Sequence, residues 1–369
     1  MPALTTESRL IHSQANLVEL CDSLKKHDVI AVDTEFVRTN TYWPKLCLIQ
    51  LATDERIGCV DLLAKLDATA LLEIICGDTN LKIFHAAKQD LEAIYSTYGQ
   101  LPGPLIDTQI CAGLLGYPSQ IGYANLVQKI LDVQLDKAET RTDWSRRPLT
   151  AAQIDYAADD VVHLAAVYEN LKDRLEADGR YGWALEDSAA LVDQELYDLP
   201  SEDAWRRLSR IRYLKVPAQA RARRMTAWRE RRAKKLNRPR QWILTDKIIL
   251  KIANENPRDA DQLRQIPELP PGLIRNQGEI ILKELRSANE AVTCGTIEFG
   301  QEARPLSPDP QALKHLAGIV AGTADKLGIA ADILATRKDL TALLRGIKTI
   351  RPLTGWRHSI IGETLLQAL

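Results

Sequence analysis

No apolar run in the 369-residue sequence approaches the roughly 18 residues of a membrane span, and the first residues lack a secretory signal core. These absences predict a soluble chain that stays in the cytoplasm and has no membrane partner. The six cysteines (Cys21, Cys47, Cys59, Cys76, Cys111 and Cys294) show no C-x-x-C spacing, and five of them sit in apolar runs. They read as reduced core residues, which argues against a disulfide-stapled secreted domain. No G-x-x-x-x-G-K-[ST] phosphate loop occurs, which excludes a motor driven through such a loop. Net charge is also nearly absent, at −1. Spread evenly, that balance would leave no surface that seeks a polyanion. It is not spread evenly. Between Trp205 and Arg240 stand 15 Lys or Arg and a single acid, Glu230, so the rest of the chain carries about −15. Such asymmetry predicts a local nucleic-acid-seeking surface on an acidic body.

What is present begins with VIAVDTEF at 29–36, an apolar run leading into Asp33 and Glu35. On a strand, residues i and i+2 point to one side, so the two carboxylates project together. Anions held that close repel one another unless a cation lies between them, and hard oxygen ligands suit Mg²⁺ or Mn²⁺. The plain alternative is a pair of exposed charges at the end of an edge strand.

Around this stretch the chain reads as an α/β domain of about 190 residues, assigned to 1–196. An amphipathic helix carries Leu17, Leu20, Cys21 and Leu24; strands at 29–36, 46–53 and 57–63 form a meander. A helix at 66–77, a strand at 81–85, a helix at 89–98, a short apolar piece at 104–106 and a helix at 107–116 follow. After a polar break at 136–148, one long helix is expected from about Thr150 to Asp178. Residues 197–203 read as a linker, 204–292 as an all-helical domain, 293–310 as a second linker and 308–369 as another helical domain. The expected size is ample for more than one core.

Three further acids can be matched to the first pair. Asp90 stands at the entry to the helix at 89–98, where it serves either as an N-cap or as a third site carboxylate. Asp107 holds the same kind of position and is taken as a cap. In DYAADDVVHL, 155–164, Tyr156 and Asp160 are four apart and share one helix face. A phenol and a carboxylate there, beside metal-bound carboxylates, would suit hydrolysis of a phosphodiester. The alternatives are a half-buried aromatic and a solvated charge.

Together, DTE at 33–35, Asp90 behind HAAKQD, and YAADD at 156–160 resemble the three exonuclease motifs of the DEDD superfamily, in its tyrosine-bearing branch. RTNTYWPKLCLIQLA (38–52) and LDKAETRTDWSRRPLTAAQIDYAADDV (135–161) look like the ribonuclease D family. That resemblance implies a ribonuclease-H-like fold in which Asp33, Glu35, Asp90 and Asp160 hold two divalent cations, Mg²⁺ or Mn²⁺, with Tyr156 as a catalytic residue and Glu35 near the terminal ribose. It implies a 3′→5′ exoribonuclease that releases 5′-mononucleotides from tRNA precursors and other structured RNAs, working as a monomer. AWRRLSRI (204–211) and QWILTDKIILKIANENP (241–257) resemble the helical HRDC domain, and the tail with LTGWRHSIIG (353–362) looks like a divergent second copy.

The run 221–240 is too basic for a merely solvated helix, which would interleave acids. Arg221, Arg223, Arg224, Arg229, Arg231, Arg232, Lys234 and Lys235 are therefore candidate RNA contacts, with docking onto the acidic body as the alternative. Trp228 and Trp242 are expected in the core. Two rival functions stay open here. A DNA exonuclease would use the same acids, and a non-catalytic RNA binder would be marked by a missing acid, of which there is none.

Overall fold

The computed structural model describes residues 9–136, 139, 142–295 and 309–369; the expected linker at 293–310 falls largely outside them. Contacts divide the chain into two units. The first comprises the described parts of Met1–Val37, Pro44–Tyr197 and Pro308–Leu369, and the second those of Arg38–Trp43 and Asp198–Ser307.

The first unit is built on a six-stranded mixed sheet. Its strands are β1 (Leu10–Ile11), β2 (Val29–Val37), β3 (Lys45–Ala52), β4 (Ile57–Asp61), β5 (Leu81–Phe84) and β6 (Leu105–Asp107), in the order β1-β4-β3-β2-β5-β6. The meander β2–β3–β4 is antiparallel, as its short connections require, while β5 and β6 run parallel to β2 after helical crossovers. Helix α1 (Gln14–Leu24) starts at Ser13, whose hydroxyl accepts from the Asn16 N–H, and buries Leu17, Leu20, Cys21 and Leu24. With α2 (Thr69–Ile75) and α3 (Lys88–Tyr98) it lines one apolar cluster against one sheet face, with Ile30, Val32, Ile49 and Leu51.

The other face carries Ala31, Leu48, Ala52, Cys59 and Ile83. It is covered by α4 (Thr108–Leu114), α5 (Tyr123–Leu131), α6 (Ala151–Val162), α7 (Leu164–Ala177) and α8 (Tyr181–Ala189). The single long helix expected from Thr150 is two. At His163 the backbone opens to φ −98°, ψ −7°, ending α6 and starting α7.

Residues 309–369 form α14 (Pro310–Leu327), α15 (Ala331–Leu334), α16 (Arg337–Leu344), α17 (Gly355–Arg357) and α18 (Glu363–Gln367). Leu313, Leu316, Val320, Leu334, Trp356 and Leu365 belong to the same apolar cluster as the α6–α8 face of the sheet. Trp356 stacks on Trp183 with ring centroids 4.3 Å apart, and Arg357 forms a two-pronged pair with Asp187 at 2.6 and 2.7 Å. The tail is helical as expected, yet it shares its core with the α/β sheet rather than standing apart.

The second unit is helical. Its main elements are α9 (Val216–Leu236), α10 (Arg240–Ile243), α11 (Asp246–Glu255), α12 (Ala260–Arg264) and α13 (Pro271–Thr293), closed over Met225, Trp228, Ile249, Leu263 and Ile281. Trp228 is in the core as expected. Trp242 is not. It is 63% exposed on α10, a single turn too short to turn every apolar residue inward.

Candidate active site

The strand VIAVDTEF lies at the centre of the sheet, and its alternation sorts its polar residues by face. Asp33 and Glu35 share the face covered by α6, while Thr34 points to the opposite side. The ladder register shifts between Glu35 and Phe36, where an extra residue of β3 bulges and ends the regular pairing just past the second acid.

Helix α6 brings Asp160 to this face. Thr150 starts the helix with a reciprocal cap, its hydroxyl accepting from the Gln153 N–H while the Gln153 side chain accepts from the Thr150 N–H. The segment before it is clamped by Arg147, whose guanidinium donates to both oxygens of Asp61 at 2.7 and 2.6 Å and to the Trp144 carbonyl at 2.8 Å. Trp144 is buried and lies 6.1 Å, centroid to centroid, from the Tyr156 ring. The Tyr156 hydroxyl hydrogen-bonds the Asp160 carboxylate, as the four-residue spacing allows.

Asp33, Glu35 and Asp160 thereby each offer a carboxylate oxygen within 4.8 Å of the others, a group able to hold a metal ion among the described residues. Asp90 stands beside this trio rather than in it. It sits in the first turn of α3, not at its cap, and its Oδ1 accepts from Thr34 Oγ1 at 2.5 Å. The cap role belongs to Asp107. One of its oxygens receives the Gln109 N–H at 2.8 Å, and the pair of oxygens also receives the N–H groups of Ala86 and Ala87, both at 2.9 Å. Ala86 adopts φ +59°, a left-handed conformation unusual for alanine, in the turn that delivers Asp90. Sequence reading named the four acids and Tyr156 as candidates, of which Asp33, Glu35 and Asp160 come together, but missed this support. The one available signal was a threonine between two acids, placed by strand alternation on the opposite face.

The electrostatics are those of buried carboxylates crowded together. Burial pushes the Glu35 carboxyl up to about 9, reinforced by Asp160 and Asp90. Burial together with Asp90, Asp160 and Glu35 raises Asp33 well above the usual carboxylate range. Asp160 is raised by burial to about 7, against the opposing hydrogen bond from Tyr156. Asp90 is likewise raised by burial to about 7, against the hydrogen bond from Thr34. A divalent cation would remove both the repulsion and the need for protons, and an all-oxygen donor set suits a hard cation. The residues fit such an ion.

The basic run divides. Arg221 is buried, donating to the Ala253 carbonyl at 2.6 Å and to Asn289 at 2.8 Å. Arg229 is buried as well, on the Leu244 carbonyl at 2.8 Å and Asp246 at 2.7 Å. These two correct the expectation of an RNA-facing row, because a 21-residue helix packed on several sides must turn some of its charges inward. Glu230, the lone acid of the run, is 1% exposed and takes Tyr42 Oη at 2.5 Å and Arg207 at 3.3 Å. Arg223 lies 3.8 Å over the Trp205 ring, and Arg224, Arg231 and Lys234 pair with Glu284, Glu202 and Asp198. Arg232 is half-buried and Lys235 exposed.

Residues 8–176 match a family profile described as 3′-5′ exonuclease, and residues 218–285 match the HRDC domain. With the acid-bearing sheet, this defines a metal-dependent 3′→5′ exonuclease of the DEDD class carrying an HRDC domain. Along nearly all of its length the chain is also similar to curated ribonuclease D proteins. It is 36% identical over 370 residues to that of Granulibacter bethesdensis (97% of this chain, 91% of that one) and 37% identical over 364 residues to that of Gluconacetobacter diazotrophicus (97% and 91%). The crystal structure of Escherichia coli RNase D, described as an exoribonuclease involved in structured RNA processing, superimposes with a TM-score of 0.87 at 30% identity, covering 98% of each chain. The chain belongs to the ribonuclease D family and is a 3′→5′ exoribonuclease.

Proposed function

We propose that the enzyme trims the single-stranded 3′ tails of structured RNAs, tRNA precursors among them, releasing 5′-mononucleotides and acting as a monomer in the cytoplasm. The observation that carries this reading is the approach of Asp33, Glu35 and Asp160 to within 4.8 Å on one sheet face, with Asp90 and Tyr156 at its margin. These four acids would hold two divalent cations, Mg²⁺ or Mn²⁺, which when bound supply water activation and stabilise the leaving 3′ oxygen. The chain's own part is placement. Asp33 and Glu35 are held by the ladder, Asp90 by Thr34 and the Asp107 clip, and Asp160 by its capped helix. Tyr156, braced by Trp144, presents its hydroxyl beside Asp160 and orients the attacking water.

The helical regions would grip the RNA body. Arg224, Arg232 and Lys235, with Arg223, Arg231 and Lys234 at the margins, are the contacts we retain from the basic run. Residues 308–369 are proposed to descend from a second HRDC copy, supported by their short helices and the LTGWRHSIIG stretch.

The test is digestion of a tRNA precursor with a 3′ extension under single-turnover conditions with Mn²⁺, sequencing the product 3′ ends. Stepwise shortening to a defined stop is expected from the wild type, and no shortening from Asp33→Asn. Equal or faster digestion of the deoxy counterpart would turn the reading toward a DNA exonuclease.

A further inference from the structure

Gln50 occupies β3 directly across from Asp33 in the β2–β3 ladder and across from Cys59 of β4. Paired residues of an antiparallel ladder present their side chains on the same face, with Cβ atoms about 5 Å apart. That face is the one roofed by α6, the helix of Asp160. Gln50 is 0% exposed, and among the described residues neither Oε1 nor Nε2 has a hydrogen-bond partner. Its neighbours on the same face of β3, Leu48 and Ala52, are buried and apolar. A leucine or methionine would fill such a place without leaving two polar atoms unsatisfied, so packing does not explain an amide here.

An amide next to a carboxylate cluster has an obvious use. Its Nε2–H can donate to a carboxylate oxygen, and its Oε1 can accept from a water in the hydration shell of a bound cation. Residues one layer behind metal ligands orient those ligands in this way. We propose that Gln50 is a positioning residue for the cation held at Asp33, binding the Asp33 carboxylate and that cation's hydration water. The inference rests on the metal site proposed above. It explains why a polar side chain interrupts the apolar strand LCLIQLA at the position paired with Asp33.

The experiment uses the full chain, with Gln50→Met, which keeps length and removes the amide, and Gln50→Leu as a second apolar replacement. Mn²⁺ binding is measured by titration calorimetry without RNA, alongside melting in chelator and kcat and KM on a 3′-tailed RNA. Asp33→Asn is the control. The expected result is metal-free melting at or above the wild type, Mn²⁺ affinity reduced by about 10- to 100-fold, a lower kcat and an unchanged KM for RNA. A folded Gln50 variant that binds Mn²⁺ like the wild type overturns the proposal, as does weakened melting with unaltered Mn²⁺ affinity. If Asp33→Asn itself leaves Mn²⁺ binding intact, the metal-site reading fails first, and the two failures are thereby separable.

Discussion

Asp33 shows how one side chain can be both a liability and the point of the molecule. Its pKa, and those of Glu35, Asp90 and Asp160, are all raised, so the metal-free native state holds protons that the unfolded chain has released. By linkage, stability from this cluster is full below the ordinary carboxyl range of about pH 4 and falls as pH climbs toward the folded values. Glu35 keeps its proton up to about pH 9. Asp33→Asn should therefore melt higher than wild type in chelator, with the gap widening as pH rises above the ordinary carboxyl range. In Mn²⁺ the order should reverse, because only the wild type gains from binding the ion. Melting curves with and without chelator check both signs. Tyr156→Phe should keep Mn²⁺ affinity while slowing hydrolysis at saturating metal; an unaltered single-turnover rate would deny the hydroxyl a role.

Elements are placed by polar clips that pattern reading does not reveal. Asp107, at the end of β6, accepts N–H groups from the turn before α3 and from the first turn of α4. Asp107→Ala would strand three backbone donors and is expected to cost about 3 kcal/mol. It should also lower kcat, since the turn it holds delivers Asp90. Chemical denaturation and turnover at saturating Mn²⁺ measure the two effects. In α9, Arg229→Gln should cost about 2 kcal/mol through the lost charged hydrogen bonds and change RNA affinity little. Arg232→Gln with Lys235→Gln should do the opposite, leaving stability intact and reducing the salt slope of RNA binding by about two. Filter binding across a salt series separates the two pairs.

Taken whole, the chain is two units in which sequence order and spatial membership part company. The tail at 309–369 follows the helical unit in sequence but packs into the core of the sheet, through Trp356 on Trp183 and Arg357 on Asp187. A chain ending at Gly295 should therefore melt below the full protein even when only the nuclease is monitored, because Leu316, Val320 and Leu365 would no longer cover their neighbours. Calorimetry of the two chains decides it; identical nuclease melting would mean that the shared core contributes nothing. Shortening the chain near Leu196 to isolate the nuclease would meet the same difficulty.

From residue order alone came the strands, the candidate acids Asp33, Glu35 and Asp160 that the fold brings together, the candidates Asp90 and Tyr156, and the helical character of everything after the first domain. Period-two and period-3.6 patterns and local capping are properties of short segments, and the site motifs are short segments too. Tertiary structure alone decided that Asp107 clips two turns, that Arg221 and Arg229 face inward, that Trp242 faces out, and that the tail joins the sheet. Each of those outcomes depends on which partner comes within about 3 Å, and partners tens or hundreds of residues away leave no trace in a local pattern.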